Sequence, residues 1–181
     1  MSMSNKDMAM IGIFSALSVV MGYAFIHVPN IEMISASIFI SGYLLGIQKG
    51  ILVAIIAETT YSAFNPMGSG LAFPYLLVAQ ILGMSLFGAV GGILGSRGEI
   101  QRFSKVRIAL IGAAGLGCTL FYDLLTTLSW PLAAGFDRGQ IYATIALGSV
   151  FTSIHIISNT LIFVLALPPI LRAVKKTGRF G

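Results

Sequence analysis

Six stretches of this chain are apolar almost without interruption, and they decide what it can fold into. They are Met8–Ile26, Ile34–Ile47, Ile51–Phe64, Phe73–Leu94, Val106–Trp130 and Ile141–Leu171. A backbone in hydrocarbon must satisfy its own hydrogen bonds, so runs of this kind fold as helices there. Charged residues make up only 9% of the chain and hydrophobic ones 56%. Soluble domains carry about 25% charged residues, so this chain lacks the polar surface to face water on all sides. The expected fold is all-α: an integral membrane protein, multi-pass in the cell membrane, forming one compact six-helix transmembrane domain over residues 1–181.

A straight crossing takes roughly 20 residues, and the second and third stretches fall short of that. With the flanks Glu32-Met33 and Gln48-Lys49-Gly50 added, both can cross. The first stretch reads as a retained helix, because no small-x-small cleavage site ends it and five more apolar stretches follow. Charge placement then tests the topology. With the N-terminus in the cytoplasm and alternating crossings, Lys6, Lys49, Arg97, Arg102, Lys105, Arg107, Arg172, Lys175, Lys176 and Arg179 fall inside. Of the 11 basic residues only Arg138 falls outside, which is the bias of the positive-inside rule. Both termini are therefore expected in the cytoplasm. Gln48-Lys49-Gly50 reads as a sharp inner turn, and 96–107 as a short amphipathic surface helix or a solvated linker. Pro168-Pro169 is expected to kink or stop the sixth helix.

The net charge of +5 does not indicate nucleic acid, because the basic residues sit at helix ends and not along one face. One cysteine, Cys118, cannot build a disulfide, a cysteine zinc site or an iron–sulfur cluster. There is no GxxxxGK[ST] loop, HExxH or GxSxG, so the chain reads as neither an ATPase nor a hydrolase. No cofactor or metal is expected. Glu58, Asp123 and His155 on three different helices are a weak metal signal.

The informative residues are polar ones inside the apolar stretches. Glu58 lies roughly 13 Å above the inner face, with Tyr61 and Asn65 following at i+3 and i+7. Gln80 lies about 10 Å beneath the outer face, and Asp123 about 24 Å up from Arg107. Thr126, Thr127 and Trp130 share the face of Asp123, while Thr152, His155 and Asn159 share one face of the sixth helix. Charged groups turned to lipid cost several kcal/mol, so these stripes should face one another. A structural reading stands beside the functional one. Glu58 or Asp123 can simply pair with His155, or be protonated and hydrogen-bonded to Thr or Ser, and Trp130 and Tyr75 can be interfacial aromatics. So many ligand-type groups in one outward-biased zone are accounted for more economically by a pocket closed by the outer loops. Glu58, Tyr61, Asn65, Gln80, Asp123, Trp130, His155 and Asn159 are its candidate residues.

Small residues recur at four-residue spacing, as Gly12-xxx-Ala16, Ala79-xxx-Gly83, Gly88-xxx-Gly92, Gly91-xxx-Gly95 and Ala113-xxx-Gly117. Such pairs let helices touch closely in lipid. Most should pack the bundle, and Gly12 with Ala16 could seat a partner protein.

The short second and third helices, the run Gly42-Tyr-Leu-Leu-Gly46-Ile-Gln-Lys49-Gly50, the Asn65-Pro66-Met67-Gly68 turn, the helix from Gln80 to Gly92 and the first-helix pair Gly12-xxx-Ala16 together carry a likeness. The chain resembles the substrate-binding S component of energy-coupling factor (ECF) transporters, of the vitamin type. The family's first-helix motif is usually Ala-xxx-Ala, and here glycine holds the first place. The resemblance implies a non-enzymatic subunit that captures a vitamin or vitamin precursor from outside. It implies docking, through the first helix, on a transmembrane coupling protein driven by two cytoplasmic ATPases. It also implies that the ligand is held from the outer loops and the outer parts of the later helices. The rival reading is a self-sufficient proton-coupled carrier with Glu58, Asp123 and His155 as a relay.

Overall fold

The protein's computed structural model describes residues 3–66, 69–96 and 104–176. Within them the chain is helical and runs up and down. α1 spans Asn5–Ala24 and starts at a capping box, in which Ser4 accepts from the Asp7 amide and the Asp7 carboxylate accepts from that of Ser4. α2 spans Ile34–Leu45 and α3 Ile47–Ala63. A 3₁₀ turn at Gly70–Ala72 precedes α4, Pro74–Ser96. α5, Lys105–Ala133, is capped by Ser104. α6, Arg138–Leu161, begins at a second capping box made by Asp137 and Gln140. A π-helical segment, Ile162–Ala166, joins it to α7, Leu167–Lys176, so the sixth span continues past its expected end. α1, α4, α5 and the continuous sixth span are long and apolar enough to cross a membrane. Of the expected surface segment 96–107, residues 97–103 lie outside the described residues, as do Met67 and Gly68 of the α3–α4 turn, while Ser96 ends α4 and 104–107 cap and begin α5.

Side-chain contacts fix which ends lie together. Lys49 at the start of α3 pairs with Asp7 at the start of α1. Arg107 at the start of α5 donates to the Tyr43 hydroxyl and the Leu94 carbonyl, each at 2.7 Å, joining the ends of α2 and α4. This end of the bundle is the basic end. At the other, the Tyr23 hydroxyl of α1 donates to the Tyr61 carbonyl of α3, and Phe73 meets Trp130 edge-on at the junction of α4 and α5.

Two expectations about the short helices change. The sharp turn between α2 and α3 lies at Gly46, not at Gln48-Lys49-Gly50. Gly46 has φ 92°, a conformation that costs glycine little, and the three expected turn residues form the first turn of α3 instead. α3 thus gains length at its start, whereas Glu32-Met33 does not extend α2. Twelve residues make α2 only about 18 Å long. It needs no more, because it is wrapped by protein: Ile34 through Phe39, Ser41, Gly42 and Tyr43 are buried.

That wrapping depends on glycine. A methyl group at Gly88, Gly91 or Gly95 of α4 would run into the carbonyl oxygens of Gly50, Phe39 and Tyr43, so α4 lies directly on the backbones of α2 and α3. On α5 the pair that packs is different from the expected one. Gly112 and Gly115 make room for Val164 and Phe163, while Ala113 and Gly117 face outward. Phe163 then fills the centre, 5.0 Å from the Phe39 ring and 5.8 Å from that of Phe87. Pro168 and Pro169 do not stop the sixth helix. Proline lacks a donor and crowds the carbonyl four residues back, and the π-helical segment just before the pair alters the hydrogen-bond ladder where those carbonyls lie.

Candidate functional site

A cavity of about 450 Å³ opens between the α1–α2 connection, the C-terminal parts of α3 and α5, the N-terminal half of α4 and the middle of α6. It lies at the end of the bundle away from the basic end. Each wall has a local cause. Pro29 and the left-handed Asn30, φ 57°, turn the chain after α1. The Asn30 carbonyl is held by the Ser158 hydroxyl at 2.7 Å, which ties this loop to α6. The loop then presents Glu32, whose Oε2 accepts from the Ser35 amide at 2.9 Å and so caps α2.

The polar groups fall into two clusters. Asp123 Oδ1 lies 2.7 Å from His155 Nδ1, joining α5 to α6. The opposite ring nitrogen, Nε2, lies 3.6 Å from Glu32 Oε1, within reach of charge but too far for a hydrogen bond. The Tyr122 ring stands edge-on to the imidazole at 5.9 Å. Across the cavity Glu58, 1% exposed, accepts from the Ser62 hydroxyl at 2.9 Å through Oε1. That hydroxyl also lies 3.3 Å from Gln80 Oε1. Burial pushes the Glu32 carboxyl up, but the imidazole of His155 and the Ser35 hydroxyl and amide outweigh it. They hold this loop carboxyl below the ordinary glutamate range.

Four buried polar atoms here have no hydrogen-bond partner: Glu32 Oε1, Glu58 Oε2, Asp123 Oδ2 and His155 Nε2. All four residues line the cavity. Leaving such groups unsatisfied costs about 1–3 kcal/mol each, and more for charged ones. A concentration of them around one void is the pattern of a site that a ligand completes. Among the described residues, no group of three or more His, Cys, Asp and Glu side chains converges to hold a metal ion.

Of the residues singled out in the sequence, Glu58, Tyr61, Asn65, Gln80, Asp123 and His155 border this cavity. Asn159 and Trp130 are placed elsewhere. Asn159 lies one turn beyond His155, donates to Thr119 Oγ1 at 2.8 Å and accepts from Ser35 Oγ at 3.2 Å, stapling α6 to α5 and α2. Trp130 borders a separate groove of about 170 Å³ together with Phe73 and Tyr75. Glu32 and Tyr122 line the cavity and were not foreseen there. Gly12 and Ala16 lie on the exposed face of α1, and a Cβ added at Gly12 would have no other atom within 4 Å.

A multi-pass helical bundle with a sealed floor and a polar cavity at one end is the build of a membrane protein that accepts a solute. The sequence carries this further. The chain belongs to the family of substrate-specific components of ECF transporters: the family described as "ECF transporter, substrate-specific component" matches residues 6–171. It is a transport subunit of the plasma membrane and not an enzyme. No curated protein and no solved structure is significantly similar to the chain.

Proposed function

We propose that this protein is the receptor subunit of an ATP-driven importer. It captures a vitamin or vitamin precursor from outside the cell and passes it inward through a transmembrane coupling protein and two cytoplasmic ATPases. The observation that carries this reading is the cluster of buried polar side chains around one cavity, in which Glu58 Oε2 and Asp123 Oδ2 have no partner. In it Glu58, Gln80, Asp123 and His155 hold the polar groups of the ligand, and Glu32 closes the site from the loop. Tyr61, Asn65 and Tyr122 complete the walls. Asn159 positions the floor, and Trp130 contributes from the neighbouring groove. A volume of about 450 Å³ falls within the range of small-molecule pockets. The positive-inside bias puts the basic end and both termini in the cytoplasm and turns the cavity outward. The exposed Gly12–Ala16 face of α1 is the docking surface for the coupling protein.

The test is to purify the protein from cells grown in rich medium, release bound small molecules by heat, and identify them by mass spectrometry. A vitamin-like molecule present with the wild type and depleted at least tenfold in Asp123→Asn is expected. A molecule carried equally by both would take the cavity out of the binding role. Uptake into vesicles by this chain alone, driven by a pH gradient, would replace the receptor with the self-sufficient carrier.

A further inference from the structure

The charge of the cavity narrows its ligand. Three carboxylates line it, those of Glu32, Glu58 and Asp123, against one imidazole, His155. Among the described residues, no lysine or arginine lines it. A single imidazolium can balance one carboxylate, and His155 is already engaged between Asp123 and Glu32. Glu58 has no basic neighbour of its own. Its one contact is the Ser62 hydroxyl, and its Oε2 is buried without a partner. An ionised carboxylate only accepts hydrogen bonds, so Glu58 Oε2 and Asp123 Oδ2, which have no partner, are open to a donor, while Glu32 Oε1 faces His155 Nε2 at 3.6 Å. A negatively charged ligand would bring its charge into this ring of carboxylates and meet His155 alone, which Asp123 and Glu32 already engage. Tyr61, Tyr122 and Phe151 line the same space, and aromatic rings attract cations.

Resting on the receptor reading above, we propose that the cavity takes a small organic cation. Its ligand is an amine or nitrogen heterocycle, positively charged at neutral pH, with several N–H donors or a quaternary nitrogen and no carboxylate or phosphate. The charged nitrogen sits on the Glu58 side, where the orphaned oxygen is least exposed. The ring system lies among the aromatic residues.

The experiment is thermal unfolding of the purified protein in detergent with thiamine and pyridoxamine as cations, riboflavin as a flat neutral ring, pantothenate and biotin as carboxylates, and cobalt(II) ion alone. A ligand at a hundredfold excess over its Kd raises the melting temperature by about 5 °C or more for a chain of this size. At least one cation is expected to do so, while pantothenate and biotin leave it unchanged. Glu58→Gln, which keeps the volume and removes the acid, is expected to cut that shift by about half or more at the same ligand concentration. Should that variant fail to fold, Glu32→Gln in the loop is expected to reduce it at least tenfold in ligand concentration. A carboxylate, riboflavin or cobalt(II) as the strongest stabiliser would overturn the cationic class and leave a receptor of another specificity. No shift with any compound would overturn it together with the receptor reading.

Discussion

At the scale of single residues, the site sets binding against stability. Glu58 keeps a buried carboxylate with one oxygen unpartnered, and a buried charge of this kind is expensive to hold. Glu58→Gln is therefore expected to weaken ligand binding by about 10- to 100-fold, the worth of a hydrogen bond to a charged group. It should leave the melting temperature of the empty protein unchanged or slightly raised. Titration calorimetry and a melting curve on the same preparation check both halves. His155 plays the opposite part, because it sits between Asp123 and Glu32. His155→Ala strands two carboxylates and is expected to cost about 3 kcal/mol. That is a fall of roughly 6–12 °C in melting temperature for a protein of this length. A melting point unchanged by the variant would show the bridge to be idle. The intramembrane members of this set were legible in the sequence because a charge in an apolar helix stands out. Glu32 was not, since a carboxylate in a loop is unremarkable until the loop folds over the cavity and Ser158 holds it there. Trp130 and Asn159 share helical faces with site residues, but a face is wider than the cavity. Three or four residues of helix carry a side chain past its rim or beneath its floor.

At the scale of elements, glycine placement separates surfaces that periodicity alone cannot. Gly88 abuts the Gly50 carbonyl, backbone on backbone, with no flexible side chain to yield. Gly88→Ala must push α4 off α2 and α3, and overpacking of this sort costs about 1–3 kcal/mol or more. Gly117 has nothing within 4 Å of its added Cβ. Gly117→Ala is therefore expected to be neutral or to gain up to about 1 kcal/mol from helix propensity. Melting the two variants side by side tests the assignment, and equal losses would sink it. The four-residue spacing found both pairs in the sequence but could not say which faces protein. The Gly46 turn escaped for a related reason. Gln48-Lys49-Gly50 has the polar look of a turn, whereas the break needed a residue tolerant of positive φ four positions after Gly42, where α2 ends. The Pro168-Pro169 pair does not stop the helix because proline's effect depends on the ladder before it, and the π-helical segment at Ile162–Ala166 has no sequence signature in a uniformly apolar run.

At the scale of the whole molecule, the two ends have different work. The basic end is closed by the Asp7–Lys49 pair and by Arg107 bridging α2 and α4, while the opposite end holds the cavity. The alternation of charge along the sequence was enough to foresee this division, because each loop contributes to one end only. If the basic end faces the cytoplasm, the cavity can load from outside but has no open path inward past the packed core at Phe39, Phe87 and Phe163. Delivery then requires the bundle to move as a body or to open against a partner, and the partner needs a smooth face to grip. Two exposed pairs of small residues offer one: Gly12 with Ala16 on α1, and Ala113 with Gly117 on α5. They make rival predictions. Both lie away from the cavity, so Gly12→Leu and Ala113→Leu should each bind ligand within about twofold of the wild type, 0.4 kcal/mol being roughly RT ln 2. In vesicles containing the coupling protein and ATPases, Gly12→Leu is expected to lower uptake at least tenfold, because leucine's bulk prevents close backbone approach. Ala113→Leu should transport normally. Normal uptake by Gly12→Leu would remove α1 from the interface, and a selective loss in Ala113→Leu would move the docking surface to α5.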